Sequence, residues 1–303
     1  MSTTTTHISD PRVAERARRW ESFYEGAGPQ HLILIGYKPD ALDRPHPNPD
    51  NIPDRIEWAW TMYGRMMDRL EWLDDDRIPY LDVFTGTEIF AEAFGCRVHR
   101  PEDSNPFALP KVRKAADVAR LKVPELSRSP LAKLFDIADA LLERTGGGAV
   151  LKIVDLQSPM DIAALVWDKN DLFVAMIEEP EAVRDLSAMT RELLVTFLDE
   201  WFARYGRSFV AHYPDYFMPW GVTLSVDEVG AVSEAMFEEF FAEELHAMSG
   251  RYGRMGIHCC AHAQHQWGNF LRVPNLCLMN LVAKPEVLRE SWRVFRNVPQ
   301  MPS

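Results

Sequence analysis

The chain has 303 residues, 47% of them apolar and 26% charged, the make-up of an ordinary globular protein able to bury a large core. Its formal charge of -12 argues against a nucleic-acid partner, which needs a basic surface, and against an acidic membrane surface. No apolar run approaches the roughly 20 residues of a membrane span, and the Thr-rich start lacks a secretory apolar segment.

Residues 11–25 place Val13, Ala17, Trp20 and Phe23 on one stripe, which predicts an amphipathic helix. The apolar run His31-Leu32-Ile33-Leu34-Ile35-Gly36-Tyr37 predicts a strand buried on both faces. Residues 38–53 hold five prolines and read as a long irregular loop. A helix is expected over 56–73, with Asp74-Asp75-Asp76 as its solvated end. A second strand is expected at 78–84, turning at Thr85-Gly86-Thr87 into a helix over 88–94 that Gly95 stops. Residues 97–130 form a Pro-rich excursion with a helical piece at 115–121. A helix over 131–145 ends at three glycines and leads into a third strand at 149–155. Helices follow at 159–166, 171–177 and 180–205, then a fourth strand at 208–213 and a loop at 214–227 rich in aromatics. The chain continues with a helix over 233–249, a fifth strand at 254–260 and a short helix at 267–271. It finishes with a sixth strand at 275–281, a helix over 285–295 and the start of a seventh strand at 298–301.

Short apolar strands alternating with helices predict a parallel sheet of right-handed βα units. Neither dinucleotide-binding nor P-loop glycine motifs are present, which disfavours a nucleotide-binding sheet. The expected fold is an α/β TIM (β/α)8-type barrel, lacking its last one or two strands in this chain. No composition break divides it, so one domain over residues 1–303 is expected, with an N-terminal helical extension over about residues 1–30.

Three of the nine histidines and two of the four cysteines fall within Gly256-Ile257-His258-Cys259-Cys260-Ala261-His262-Ala263-Gln264-His265. If 255–260 is a strand, His258 and Cys260 share a face and Cys259 takes the other. An imidazole and a thiol side by side suit zinc or another borderline metal, with His262 as a further candidate ligand. Adjacent cysteines in a long chain are read as reduced thiols, which points to a cytoplasmic protein. Asp82 and Asp155 stand inside apolar strands, where a charge is costly unless paired or used, and are candidate acid/base groups. His212 at the end of the fourth strand and Asp227 in the loop after it join them as catalytic candidates. Tyr37, Tyr213, Trp220 and Asn280 are the candidate substrate contacts, Asn280 because it ends the sixth strand.

Three segments together resemble the uroporphyrinogen decarboxylase superfamily, which also contains zinc-dependent methyltransferases that pass methyl groups between corrinoids and thiols. The first is Asp155-Leu156-Gln157-Ser158-Pro159-Met160-Asp161-Ile162-Ala163 through Glu179-Pro180-Glu181-Ala182-Val183. The second is Trp220-Gly221, Ser225-Val226-Asp227 and Ser233-Glu234-Ala235-Met236-Phe237. The third is His258-Cys259-Cys260, similar to the family's H-x-C-G strand end, with Ala261 in place of the glycine. Order and spacing carry the likeness from about residue 78 to 281. It implies a barrel with its site at the C-terminal strand ends, zinc held by His258 and Cys260, and a corrinoid protein as partner. The decarboxylases' arginine-rich segment after the first strand has no counterpart in Ile35-Gly36-Tyr37-Lys38-Pro39-Asp40.

Zinc-assisted methyl transfer between a corrinoid or other methyl donor and a small-molecule thiol is therefore the leading expectation. The alternatives are a metal-independent decarboxylase, a lyase of an acidic aromatic substrate, and a degenerate barrel that only binds a ligand.

Overall fold

The computed structural model describes residues 7–36 and 42–302. Ten strands follow in order: β1 (Tyr80–Asp82), β2 (Arg97–His99), β3 (Phe107–Leu109), β4 (Val150–Lys152), β5 (Phe209–Val210), β6 (Phe217–Met218), β7 (Val222–Ser225), β8 (Met255–Cys259), β9 (Leu276–Leu281) and β10 (Gln300–Pro302). They form two four-stranded sheets, β1-β4-β5-β6 and β10-β9-β8-β7, and the small hairpin β2-β3. Pairing is parallel except for β5-β6 and β2-β3. Helices return the chain between the parallel strands, as the sequence pattern implies.

The two large sheets meet just beyond β4. The Ser158 amide donates to Ser225 O (2.8 Å) and the Ser225 amide to Leu156 O (2.8 Å). Among the described residues no strand pairs β10 with β1, so the sheets do not close into a hydrogen-bonded barrel. The barrel expectation is thus met at the coarser level of an α/β fold with parallel sheets. The apolar run at 31–36, expected as the first strand, forms no ladder. Its amides go to side chains instead, Ile33 N to Asp76 Oδ2 (2.7 Å) and Ile35 N to Asp75 Oδ2 (3.0 Å). A cavity of about 540 Å³ lies between this stretch and β10, bordered by Trp20, Phe23, Leu32, Leu278 and Met301.

Asp75 and Asp76 are buried, not the solvated helix end that an acidic run suggests. Arg16 and Arg19, from the helix Pro11–Tyr24, pair with them.

The helices Pro159–Val166 and Pro180–Tyr205 begin at a proline whose missing N–H costs nothing at a first helical turn. The long helix buries Leu193, Leu194, Phe197, Leu198 and Trp201, and Phe197 packs edge-on against Phe90 and Phe135. Each such ring contributes roughly 2–3 kcal/mol by burial. The aromatic loop at 214–227 is better ordered than its sequence implies. It holds β6 and β7, with Tyr216 and Phe217 buried as core and the Tyr216 hydroxyl bonded to Thr223 Oγ1 (2.7 Å). The helix expected over 233–249 is two, Glu234–Phe240 and Ala242–Tyr252.

Candidate active site

Register builds the site. Ser225 pairs with His258, His258 with Asn280, and Asn280 with Met301, so one row of residues crosses β7, β8, β9 and β10. Neighbours across a parallel ladder face the same way, and residues two apart on one strand share a face. Asp227 lies two residues past Ser225 and Cys260 two past His258, which puts them in the next row out. The three ligand-bearing atoms of Asp227, His258 and Cys260 accordingly lie within 4.8 Å of one another. Cys259 points to the opposite face and is buried there.

Each member of the trio is held. The Cys260 amide donates to Asp227 Oδ1 (2.6 Å). Asp161, buried at the start of its helix, accepts the amides of Asp227 and Glu228 at 2.8 Å each and so fixes the loop that carries Asp227. Asn280 donates through Nδ2 to Met301 O (2.5 Å), leaving Oδ1 to accept from His258 Nδ1. That bond makes Nδ1 the protonated nitrogen and leaves the Nε2 lone pair free. The Tyr213 ring meets His258 edge-on at 5.3 Å.

Imidazole, thiol and carboxylate are a donor set that zinc accepts, and three protein ligands leave one position open, as catalytic zinc sites do. Ligand atoms of a tetrahedral zinc stand about 3.3–3.8 Å apart at ordinary bond lengths, so a small contraction closes the trio. The electrostatics agree. Burial and the Asp227 carboxylate push the Cys260 thiol up to about 12. A thiol beside a carboxylate resists ionisation, and a dication between them reverses that balance.

A second polar group adjoins the trio. Asp155 accepts from Ser225 Oγ (2.7 Å), in the same row as His258. Lys152 lies 2.8 Å from Asp215 and 3.4 Å from Asp82, and Arg77 lies 3.3 Å from Asp215. The Tyr80 hydroxyl donates to Asp215 (3.1 Å). Burial opposes the charge on Lys152, but Asp82, Tyr80 and Asp215 outweigh it and hold its pKa above the usual value. Burial likewise opposes the Asp215 charge, and Lys152 holds it ionised with its pKa lowered. Burial lowers His212, against the pull of Asp155, so this ring is neutral at pH 7. Arg55 donates to Phe84 O, and burial raises Glu88 nearby to about 7.

The expected site residues divide. Asp82, Asp155, His212, Tyr213, Asp227, His258, Cys260 and Asn280 gather at the C-terminal ends of the parallel strands, where α/β sheets carry their chemistry. Trp220 does not join them. It lies before β7, at the opposite end, stacked under the Arg254 guanidinium at 3.7 Å. A turn between β6 and β7 carries it there, and its aromatic character alone gave no direction. His262 is exposed and outside the trio, because β8 ends three residues earlier at Cys259. Tyr37 falls outside the described residues. Arg55, Glu88, Lys152, Asp161 and Asp215 are the unforeseen members. Lys152 was legible as a charge inside an apolar strand, the signal that marks Asp82; Asp215 sits in a loop and gave none.

No curated protein matches the chain by sequence. A methyltransferase from Methanosarcina mazei shares its fold, with a TM-score of 0.67 over 95% of this chain and 82% of that one, at 10% identity. The family model "Uroporphyrinogen decarboxylase (URO-D)" matches residues 80–278, from β1 into β9 and across both parts of the site. Well over half of the chain is covered, and it belongs to the uroporphyrinogen decarboxylase family.

Proposed function

We propose that this protein is a metal-dependent enzyme that transfers a methyl group to or from a thiol. The observation that carries the reading is the convergence of Asp227, His258 and Cys260 from two adjacent strand ends. These residues would hold zinc, His258 through Nε2 and Cys260 as the thiolate. Bound zinc supplies a Lewis acid that lowers a thiol's pKa and keeps its sulfur ionised. Asn280 fixes the imidazole, and Asp161 fixes the loop of Asp227, so the ligands are pre-set before loading. Tyr213, half exposed, sets its ring edge-on against His258 and is within reach of a molecule bound beside it. The thiolate pair forms the new sulfur–carbon bond, and the donor's bond to the methyl carbon breaks with its own pair. A corrinoid carried by a partner protein is the proposed methyl donor or acceptor.

Decarboxylation of a polyacid is less well supported. It calls for an excess of cations, whereas the cluster beside the trio holds Asp82, Glu88, Asp155 and Asp215 against Arg55, Arg77 and Lys152. The test is zinc content after loading and desalting without chelator. About one equivalent is expected in the native chain. His258→Ala and Cys260→Ala should each lose at least about tenfold in zinc affinity. Native protein that retains no more zinc than the two variants would overturn the reading.

A further inference from the structure

The cluster beside the trio is rich in unused acceptors. Asp82 Oδ1, Glu88 Oε2, Gln157 Oε1 and His212 Nδ1 are buried side-chain atoms with no hydrogen-bond partner. Asp82 is 6% exposed and Glu88 1%. Asp82 and Gln157 offer acceptor oxygens, and His212 offers Nδ1 as an acceptor in the tautomer that carries its proton on Nε2. Such atoms are costly to leave unmet. The unpartnered donors near them, Arg55 Nε and Arg77 Nε, belong to guanidinium groups already committed to Phe84 O and Asp215. Lys152 and Arg77 pair with Asp82 and Asp215, and Arg55 lies near Glu88 and Asp82, whereas among the described residues no ion pair within 4.0 Å reaches Asp155. Asp155 is tied to Ser225, the register neighbour of His258, which places this unmet negative charge one strand away from the trio.

We infer that Asp82, Asp155 and His212, with Gln157, form a subsite for a primary ammonium group on the substrate. The inference rests on the thiol reading above and narrows it, making the substrate a small aminothiol. A primary ammonium brings three N–H donors and one positive charge, which matches the unmet acceptors in kind and the cluster in charge. Its pKa near 10 keeps it charged at neutral pH. A carboxylate or sulfonate in the same place meets the carboxylates of Asp82 and Asp155 and is repelled.

The test compares head groups. Binding of cysteamine, 1-propanethiol and 3-mercaptopropionate to zinc-loaded protein is measured by calorimetry at pH 7.5. Cysteamine is expected to bind at least about tenfold tighter than either of the others, and Asp82→Asn should shrink that preference to within about threefold. Propylammonium and propionate, which carry no sulfur, are measured in parallel on metal-free protein by thermal shift. Propylammonium is expected to stabilise the fold, and propionate is not. The native-chain series decides the matter alone if Asp82→Asn fails to fold. Thiols that bind without regard to head group, or best with a carboxylate, overturn the subsite and leave the thiol reading standing. Stabilisation by propylammonium with no thiol binding supports the subsite and overturns the thiol reading. No preference in either series overturns both.

Discussion

At the scale of single residues, Asn280 is the most informative position. It bonds Nδ1 of His258 and so decides which nitrogen of that ring is free. Asn280→Ala leaves the ring without its Nδ1 acceptor and lets it rotate. Outer partners of this kind are typically worth 10–100-fold in metal affinity. The expectation is therefore a zinc affinity weakened by about that factor, with the fold intact by circular dichroism; an unchanged affinity in a chelator competition would show that the bond plays no part. His258 and Cys260 were legible in the sequence because period-two alternation on one strand is a local rule. Asp227 was legible as a site residue but not as a neighbour of Cys260. Its place in the trio comes from the β7-β8 register, which local spacing does not encode. The same limit hid Lys152 and Asp215, whose pairing joins a strand to a loop more than sixty residues away.

At the scale of elements, the helices at 159–166 and 180–205 were legible to the residue, because Pro159 and Pro180 mark their starts, whereas the helix expected over 56–73 runs Ile52–Arg69 and the one expected over 233–249 is broken in two. Strands fared less well. β5 and β6 have two residues each, too short for any alternation to register. Two predictions belong at this scale. Asp161 joins the first turn of one helix to the loop after β7 through two amide bonds at 2.8 Å. Asp161→Ala leaves two part-buried amides without their acceptor and should destabilise the protein by about 1–3 kcal/mol while weakening zinc binding, since Asp227 rides on that loop. Equal zinc affinity in the variant would separate the loop from the trio. The second concerns Glu244, buried in the helix Ala242–Tyr252. Burial raises its pKa to about 7, against the pull of Arg191. A carboxyl whose folded pKa exceeds its unfolded value near 4.3 binds its proton more tightly when folded. Its stabilising contribution is complete below pH 4.3 and is lost as the pH rises through 7. Glu244→Gln cannot ionise, so its Tm should gain on that of the native chain steadily from pH 5 to pH 8. A difference in Tm that stays constant over that range would count against the assignment.

At the scale of the whole molecule, the fold class was legible and the closure of the sheet was not. An apolar run such as 31–36 states only that its side chains avoid water. Whether its amides find a neighbouring strand or something else depends on distant residues, and here they find the carboxylates of Asp75 and Asp76. Those two residues tie three parts of the chain together. Asp75 takes Arg16 and the Ile35 amide, while Asp76 takes Arg19 and the Ile33 amide and gives its own carbonyl to Trp20 Nε1 (2.8 Å). Three acidic residues in a row look like a solvated tail, but two of them act as a buried clamp between the N-terminal helix and the edge beside β1. Arg19 is exposed and can rehydrate, so removing the Asp76 carboxylate costs chiefly the acceptor of the Ile33 amide, about 1–3 kcal/mol. Asp76→Ala should therefore lower the Tm and expose the 31–36 stretch to early cleavage in limited proteolysis. Zinc affinity should hold at temperatures where the variant is folded, because β7 and β8 belong to the other sheet. If cleavage at 31–36 is no faster than in the native chain, the clamp is not what holds that stretch. If zinc affinity falls with it, the two sheets are coupled more tightly than the two Ser225 amide-to-carbonyl bonds between them imply.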